Sequence, residues 1–182
     1  NNSLGACALG AICEALPSFD LVELSLGYSY VGQGPSLTQE QADENMVKLA
    51  ACLKHAPHLE TLALQKCGMQ PSGFAQLICG LSAAPLLKRL LLDSNVLGNT
   101  SLGAVLLACP SIETLSLQDA AITDPTTMRH ALEDAATAPR LRDLYLGANS
   151  WRGARALESL RAVAATRGLN LLNLDVEHET CR

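Results

Sequence analysis

Leu87-Lys88-Arg89-Leu90-Leu91-Leu92-Asp93-Ser94-Asn95-Val96-Leu97 follows the pattern L-x-x-L-x-L-x-x-N-x-L. Its fourth and sixth residues, Leu90 and Leu92, alternate with other side chains, as the buried face of a strand does. Further copies begin at Leu21, Leu59, Ile112, Leu141 and Leu169. The ninth position is Asn95 in the quoted copy. In the four other copies that extend this far it is Ser29, Cys67, Ala120 and Asn149. The recurrence predicts stacked units that bury their apolar faces only against one another.

The spacing between copies predicts a helix after each strand. Successive copies begin 38, 28, 25, 29 and 28 residues apart, which leaves about 20 residues for a return segment. A proline stands two residues before four of the copies and ends the preceding helix; these are Pro57, Pro85, Pro110 and Pro139. The pattern resembles the ribonuclease-inhibitor-like class of leucine-rich repeats. That resemblance implies an α/β horseshoe solenoid, with parallel strands on the concave face and return helices on the convex face.

The repeats predict one domain over residues 1–182, with strands starting near 21, 59, 87, 112, 141 and 169. The long first spacing indicates an insertion at about residues 28–38. We expect the last copy to use Leu169, Leu172 and Leu174 as its inward leucines. Because Asn2-Ser3-Leu4-Gly5 matches Asn95-Val96-Leu97-Gly98 and the chain opens on Asn1, we expect a piece of a longer protein.

Composition excludes several classes of partner and site. A net charge of −5 argues against a nucleic-acid surface, and no apolar run has the length of a membrane span. The seven cysteines are odd in number and sit mostly on apolar faces. This pattern predicts free thiols in a reducing compartment, and therefore a cytoplasmic protein.

No residue pattern indicates catalysis, a metal or another cofactor. Cys52-x-x-His55-x-x-His58 has ligand residue types, but these residues end a helix and Pro57 separates the two histidines. A zinc site would also need a fourth ligand and fixed geometry. Nucleophile-elbow, zinc-protease and phosphate-loop motifs are absent from the sequence. Trp151 occupies the eleventh position, which Leu97 and Ile122 fill in other copies, so we expect it in the core.

The strand positions between the inward leucines predict a partner-binding surface. The third, fifth and seventh residues of each copy face the concave side, and a parallel sheet open on one side is unusual unless something covers it. Arginine and tyrosine are frequent in binding hot spots. The candidate residues are Arg89, Leu91, Asp93, Tyr145, Gln65 and Gln118, with Tyr28 and Tyr30 of the insertion at the rim. An ordinary solvated sheet face is the competing interpretation.

The predicted function is a non-catalytic protein-interaction module, part of a larger intracellular regulator or sensor. One alternative within the same repeat class is a GTPase-activating protein, or the recognition part of a larger enzyme. Such activators usually carry a strongly acidic tail, which this sequence lacks. A second alternative is a structural subunit of a large assembly.

Overall fold

Six strands and six helices alternate along the chain in the computed structural model, which describes residues 6–16, 19–29, 31, 38–134 and 138–174. The strands form one parallel sheet in chain order, which confirms the predicted α/β repeat solenoid. In order, the elements are α1 (Ala6–Ala15), β1 (Glu23–Ser25), α2 (Gln39–Leu53), β2 (Thr61–Ala63), α3 (Pro71–Leu81), β3 (Arg89–Leu91), α4 (Ser101–Ala108), β4 (Thr114–Ser116), α5 (Pro125–Glu133), β5 (Asp143–Tyr145), α6 (Ala154–Thr166) and β6 (Asn170–Leu172).

Inward leucines form columns through the solenoid. The fourth-position leucines of β1 to β5 pair in register; they are Leu24, Leu62, Leu90, Leu115 and Leu144, all buried. Sixth-position leucines form a second buried column: Leu26, Leu64, Leu92, Leu117 and Leu146. Trp151 packs, partly buried, against the same core. The burial of these columns confirms the strand register predicted for the first five copies.

Helix boundaries follow local capping chemistry. Thr38 and Gln41 form a capping box at the start of α2, and Pro71 and Pro125 occupy the first turns of α3 and α5. Asp124 caps α5 by accepting the N–H of Thr126. That hydrogen bond and the one from the Thr127 hydroxyl hold the pKa of Asp124 below its ordinary value.

Two buried asparagines join neighbouring repeats. Asn95 Oδ1 accepts the backbone N–H groups of Cys67 and Met69, at 3.1 and 3.0 Å. Its Nδ2 donates to the carbonyls of Leu64 and Leu92, both at 2.8 Å. The amide therefore satisfies polar groups of two adjacent turns that would otherwise be buried without partners.

Asn149 repeats this arrangement two strands further on. Its Oδ1 accepts from the N–H groups of Ala120 and Ile122, and its Nδ2 donates to Leu117 and Leu146. Ala120 occupies the equivalent position in the fourth repeat and has no side-chain amide to bond the preceding turn. Its backbone carbonyl accepts instead from the N–H groups of Leu97 and Gly98, at 3.1 and 3.2 Å. The main chain thus replaces part of the missing side-chain ladder.

The sixth strand has a different register from the predicted one. Leu171, and not Leu172, pairs with Leu144, and Leu172 pairs with Tyr145. In the second to fifth repeats the N–H before the strand bonds a carbonyl three residues back, as Leu141 does to Ala138. Here the proline is missing, Gly168 has a φ of 67°, and the N–H of Leu169 reaches Ala164. Because this connection is shorter, the strand shifts by one residue and Leu172 moves to the concave face.

The prediction that all cysteines are free thiols is wrong for one pair. Cys13 of α1 and Cys52 of α2 form a disulfide, with their Cα atoms 5.4 Å apart. Each residue lies on the apolar face of its own helix, and stacking of the two repeats brings those faces together. Cys67, Cys79 and Cys109 are free thiols. Burial raises the pKa of Cys67 to about 11 and that of Cys109 to about 12.

Thiol labelling will distinguish these three environments. In the native protein at near-neutral pH we expect a maleimide to modify exposed Cys79 and to leave Cys67 and Cys109 untouched, because the thiolate is the reactive form. In denaturant Cys67 and Cys109 should label, whereas Cys13 and Cys52 should label only after reduction. Peptide mapping by mass spectrometry reads each site separately. Labelling of Cys13 and Cys52 in unfolded, unreduced protein would contradict the disulfide.

Among the described residues, no helix is both long enough and apolar enough to cross a membrane. No group of three or more potential metal ligands is found in that part of the chain. Of the predicted insertion at about residues 28–38, Tyr28, Ser29, Val31 and Thr38 belong to the described residues, and Tyr30 lies outside them.

Candidate functional site

Strand pairing aligns the concave side chains in rows that cross the sheet. The third-position row is Glu23, Thr61, Arg89, Thr114, Asp143 and Asn170. The fifth-position row is Ser25, Ala63, Leu91, Ser116, Tyr145 and Leu172. Just before the strands, the second positions add Glu60, Lys88, Glu113 and Arg142, which alternate in charge from repeat to repeat. Polar and ionic side chains therefore cover the edge of the concave face at which the strands begin.

These rows form an open cleft of about 330 Å³ over the middle of the sheet. We call it the concave cleft. Its lining residues are Glu60, Thr61, Lys88, Arg89, Glu113, Thr114, Asp143 and Tyr145. Two of the residues predicted from the sequence, Arg89 and Tyr145, lie in it together.

Arg89 is the exposed cation at the centre of the concave cleft. Lys88, the preceding residue, already forms an ion pair, in which its Nζ lies 2.7 Å from Glu60 Oε1. Within the described part of the chain, Arg89 makes no hydrogen bond or ion pair. Thr61 and Thr114 flank it in register on the adjacent strands. The guanidinium can thus offer its planar set of donors to an incoming carboxylate.

An apolar strip lies beside this cation. Leu91 and Tyr145 are half-buried, and buried Ser116 separates them in register. At parallel-strand spacing, Leu91 and Tyr145 are roughly 10 Å apart across the small serine. The shifted register of β6 places Leu172 beside Tyr145 and lengthens the strip. Aliphatic and aromatic area next to an unpaired arginine is a composition typical of interface centres.

Two of the three predicted residues at the seventh position, Asp93 and Gln118, bond groups of other repeats. Asp93 Oδ1 accepts from the Ser116 hydroxyl and, at 2.9 Å, from the Gln118 N–H. Gln118 Oε1 accepts from Asn173 Nδ2 at 2.8 Å. Gln65 lies against Gly27, where an added Cβ would come within 2.9 Å of Gln65 Oε1. Asp93 and Gln118 thus connect neighbouring repeats, so they are less available to a partner than Arg89.

Tyr28 belongs to the first repeat, whose strand β1 is at one edge of the sheet. It sits at the eighth position of the first repeat with a φ of 61°, and its ring centroid is 5.9 Å from Lys66 Nζ. Four strand spacings separate β1 from β5, so Tyr28 and Tyr145 are on the order of 19 Å apart. The place of Tyr28 at the rim of a partner site stays a prediction.

Comparison with solved structures identifies the same fold. The C-terminal domain of tropomodulin from Caenorhabditis elegans aligns over 87% of this chain and 92% of its own length, with a TM-score of 0.63 and 17% identity. Leiomodin-1 actin-binding site 2 aligns over 86% and 84%, with a TM-score of 0.60 and 15% identity. The fold is a leucine-rich-repeat solenoid. No protein-family model matches the chain, and no curated protein does.

An internalin C2 from Listeria monocytogenes aligns less well, with a TM-score of 0.46 and 18% identity over 88% of this chain and 62% of its own.

Sequence reasoning missed the residues at the second position, which form one wall of the cleft. Glu60, Lys88 and Glu113 stand next to the strands and were set aside because only alternate strand residues were assigned to the concave face. A signal existed in the sequence, since the charge at the second position changes sign from copy to copy in the four middle copies. Thr61 and Thr114 carried no signal of their own; they matter because register places them on either side of Arg89.

Proposed function

We propose that the chain is a protein-binding module that recognises its partner with the concave cleft. The observation that carries this proposal is Arg89, an exposed guanidinium without a partner of its own among the described residues, at the centre of an open parallel sheet. Tyr145 and Leu91 supply adjacent apolar area with few rotatable bonds to order on binding. A protein segment that presents a carboxylate beside an apolar side chain would satisfy both features.

A non-catalytic role is part of the same proposal. The thiols of Cys67 and Cys109 are buried with raised pKa values, so they are poor nucleophiles. Asp93 is occupied by hydrogen bonds that support the strands. The ribonuclease-inhibitor-like class is supported by a helix in each return segment. A larger regulator or sensor is the setting in which such a module would act.

Actin is the first partner to test. One of the similar structures is described as an actin-binding site of leiomodin-1, and the alignment spans most of both chains. At 15% identity that likeness concerns the fold, so actin enters as a candidate. Cosedimentation with actin filaments and calorimetry with actin monomers are suitable first assays. If neither detects binding, affinity capture with wild-type protein and the variants below will identify another partner.

A cytoplasmic location, expected from the odd cysteine count, is not part of the proposal. The Cys13–Cys52 disulfide is the kind of bond that persists in oxidising compartments.

The double variant Arg89→Ala, Tyr145→Ala is expected to weaken partner binding by at least about 2 kcal/mol, near thirtyfold in Kd. The change removes the exposed cation and the aromatic area of the concave cleft, and neither side chain supports the leucine columns. Isothermal calorimetry measures the affinity, and a thermal melt checks that folding is preserved. Arg155→Ala, an exposed arginine on α6, is the matched control and should bind like wild type. Unchanged affinity of the double variant would overturn the concave-cleft proposal.

A further inference from the structure

The concave cleft contains carboxylates that no cation neutralises, beside the exposed cation Arg89. Glu113 lines the cleft, and its side chain makes no hydrogen bond or ion pair within the described residues. Asp143 accepts a hydrogen bond from a neutral amide of β6 at 2.8 Å. The third carboxylate of the cleft, Glu60, is already paired with Lys88. The cleft therefore offers charges of both signs to a partner, and not positive charge alone.

Arg142 is the cation next to these two carboxylates in the sheet. Its backbone N–H donates to the carbonyl of Glu113 at 2.8 Å. In the described part of the chain, its guanidinium forms no ion pair with Glu113 or Asp143. Arg142 is exposed and is not among the residues that line the cleft. Glu113 and Asp143 therefore remain available to a cation from another molecule.

Strands β3 and β5 each present a charged side chain followed two residues later by an apolar one. On β3 these are Arg89 and Leu91, and on β5 they are Asp143 and Tyr145. Residues two apart in a strand face the same side of the sheet. The strand between them, β4, has only a threonine and a serine at the matching positions. Two strand spacings separate Arg89 from Asp143, so the opposite charges are roughly 10 Å apart.

This separation of charges fits a helix that crosses the strands. Seven residues of α-helix, about two turns, rise roughly 10.5 Å and bring the side chain back to the same face. An extended segment covers the distance in about three residues, which puts the two side chains on opposite faces. A helical residue three or four positions along lies on the same face, between the two charges. An apolar side chain there would face the gap between Leu91 and Tyr145, above the small Ser116.

We propose that the concave cleft recognises an amphipathic helix that carries an acidic and a basic side chain about seven residues apart, with an apolar side chain between them. This inference rests on the proposed function and specifies the partner. The acidic side chain binds Arg89, and the basic one binds Glu113 and Asp143. The apolar one covers Leu91 and Tyr145. A helix with charges of a single sign would oppose a like charge in the cleft, so the pair of signs determines specificity.

Three alanine-based helical peptides with a fluorescein label test the proposal. The mixed peptide carries a glutamate and a lysine about seven residues apart, with a leucine between them. The acidic peptide has glutamate at both charged positions, and the basic peptide has lysine at both. Fluorescence anisotropy at about 20 mM salt, where screening is weak, measures each affinity. We expect the wild-type protein to bind the mixed peptide at least about tenfold more tightly than either of the others.

The double variant Glu113→Lys, Asp143→Lys gives a result that structural damage would not produce. It reverses the negative side of the cleft, so the acidic peptide should become the preferred one by at least about tenfold. The matched control is Glu44→Lys, Glu158→Lys, which changes the net charge equally at exposed residues of α2 and α6. The control should keep the preference for the mixed peptide.

Three results would refute the mixed-charge helix. They are equal affinity of the wild type for the mixed and acidic peptides, an unchanged preference in the Glu113→Lys, Asp143→Lys variant, and no binding of the mixed peptide up to about 1 mM. The proposed function keeps its own test, the calorimetry of the Arg89→Ala, Tyr145→Ala variant with a protein partner. A partner that this variant no longer binds, but that the Glu113→Lys, Asp143→Lys variant binds like wild type, would refute only the mixed-charge helix.

Discussion

Asn95→Ala is expected to lower the free energy of unfolding by at least about 3 kcal/mol. The Asn95 side chain is 3% exposed and bonds groups of two repeats. Its removal leaves the N–H groups of Cys67 and Met69 without their acceptor and the carbonyl of Leu64 without its side-chain donor. Each unsatisfied buried group costs about 1–3 kcal/mol.

The matched control for this experiment is Asn170→Ala. Asn170 is exposed, and its side chain bonds Asp143 Oδ1 at 2.8 Å. Loss of one exposed hydrogen bond should cost under about 1 kcal/mol. Urea unfolding followed by circular dichroism gives both values. Equal destabilisation by the two variants would show that the asparagine ladder does not hold the repeats together.

Leu90→Ala is expected to cost about 2–5 kcal/mol, because a fully buried leucine leaves a cavity between adjacent repeats. Leu91→Ala, at the next residue, should cost under about 1 kcal/mol, since that half-buried side chain lies on the concave face. Urea melts compare the two. A one-residue change of register would exchange their environments, so a larger loss for Leu91→Ala would contradict the strand register.

The strand positions could be predicted from the sequence because the inward leucines form a local pattern. Leu62, Leu90, Leu115 and Leu144 are each surrounded by the same leucine spacing, and one alignment of the copies orients all four. The starts of α2 and α5 could be predicted equally well, because their caps, Thr38 and Asp124, are residues close to the boundary they define.

The register of the last strand could not be decided in this way. Leu169, Leu171, Leu172 and Leu174 fit two frames that differ by one residue. The choice depends on how α6 ends at Gly168, where a left-handed backbone shortens the connection. That information lies in the turn and not in the leucine pattern. Its consequence for the site is direct, because it brings Leu172 next to Tyr145.

Contacts between repeats were the other features that could not be predicted from the sequence. Cys13 and Cys52 are 39 residues apart in sequence, and only the stacking of α1 on α2 makes them neighbours. Asp93 was predicted to face a partner and does lie on the concave side. Its bonds to Ser116 and Gln118 of the next repeat show that it also holds the strands together. Periodicity shows which face a residue occupies but not which neighbour its side chain meets.

Carboxylate footprinting of the protein alone and in its complex tests the binding role of the concave cleft most directly. A carbodiimide couples an amine label to accessible Asp and Glu side chains, and mass spectrometry reads the extent at each one. The account predicts that the partner protects Glu113 and Asp143 of the concave cleft. Glu44 and Glu158, exposed on α2 and α6, should label as in the free protein. Unchanged labelling of Glu113 and Asp143, with protection of Glu44 or Glu158, would contradict it.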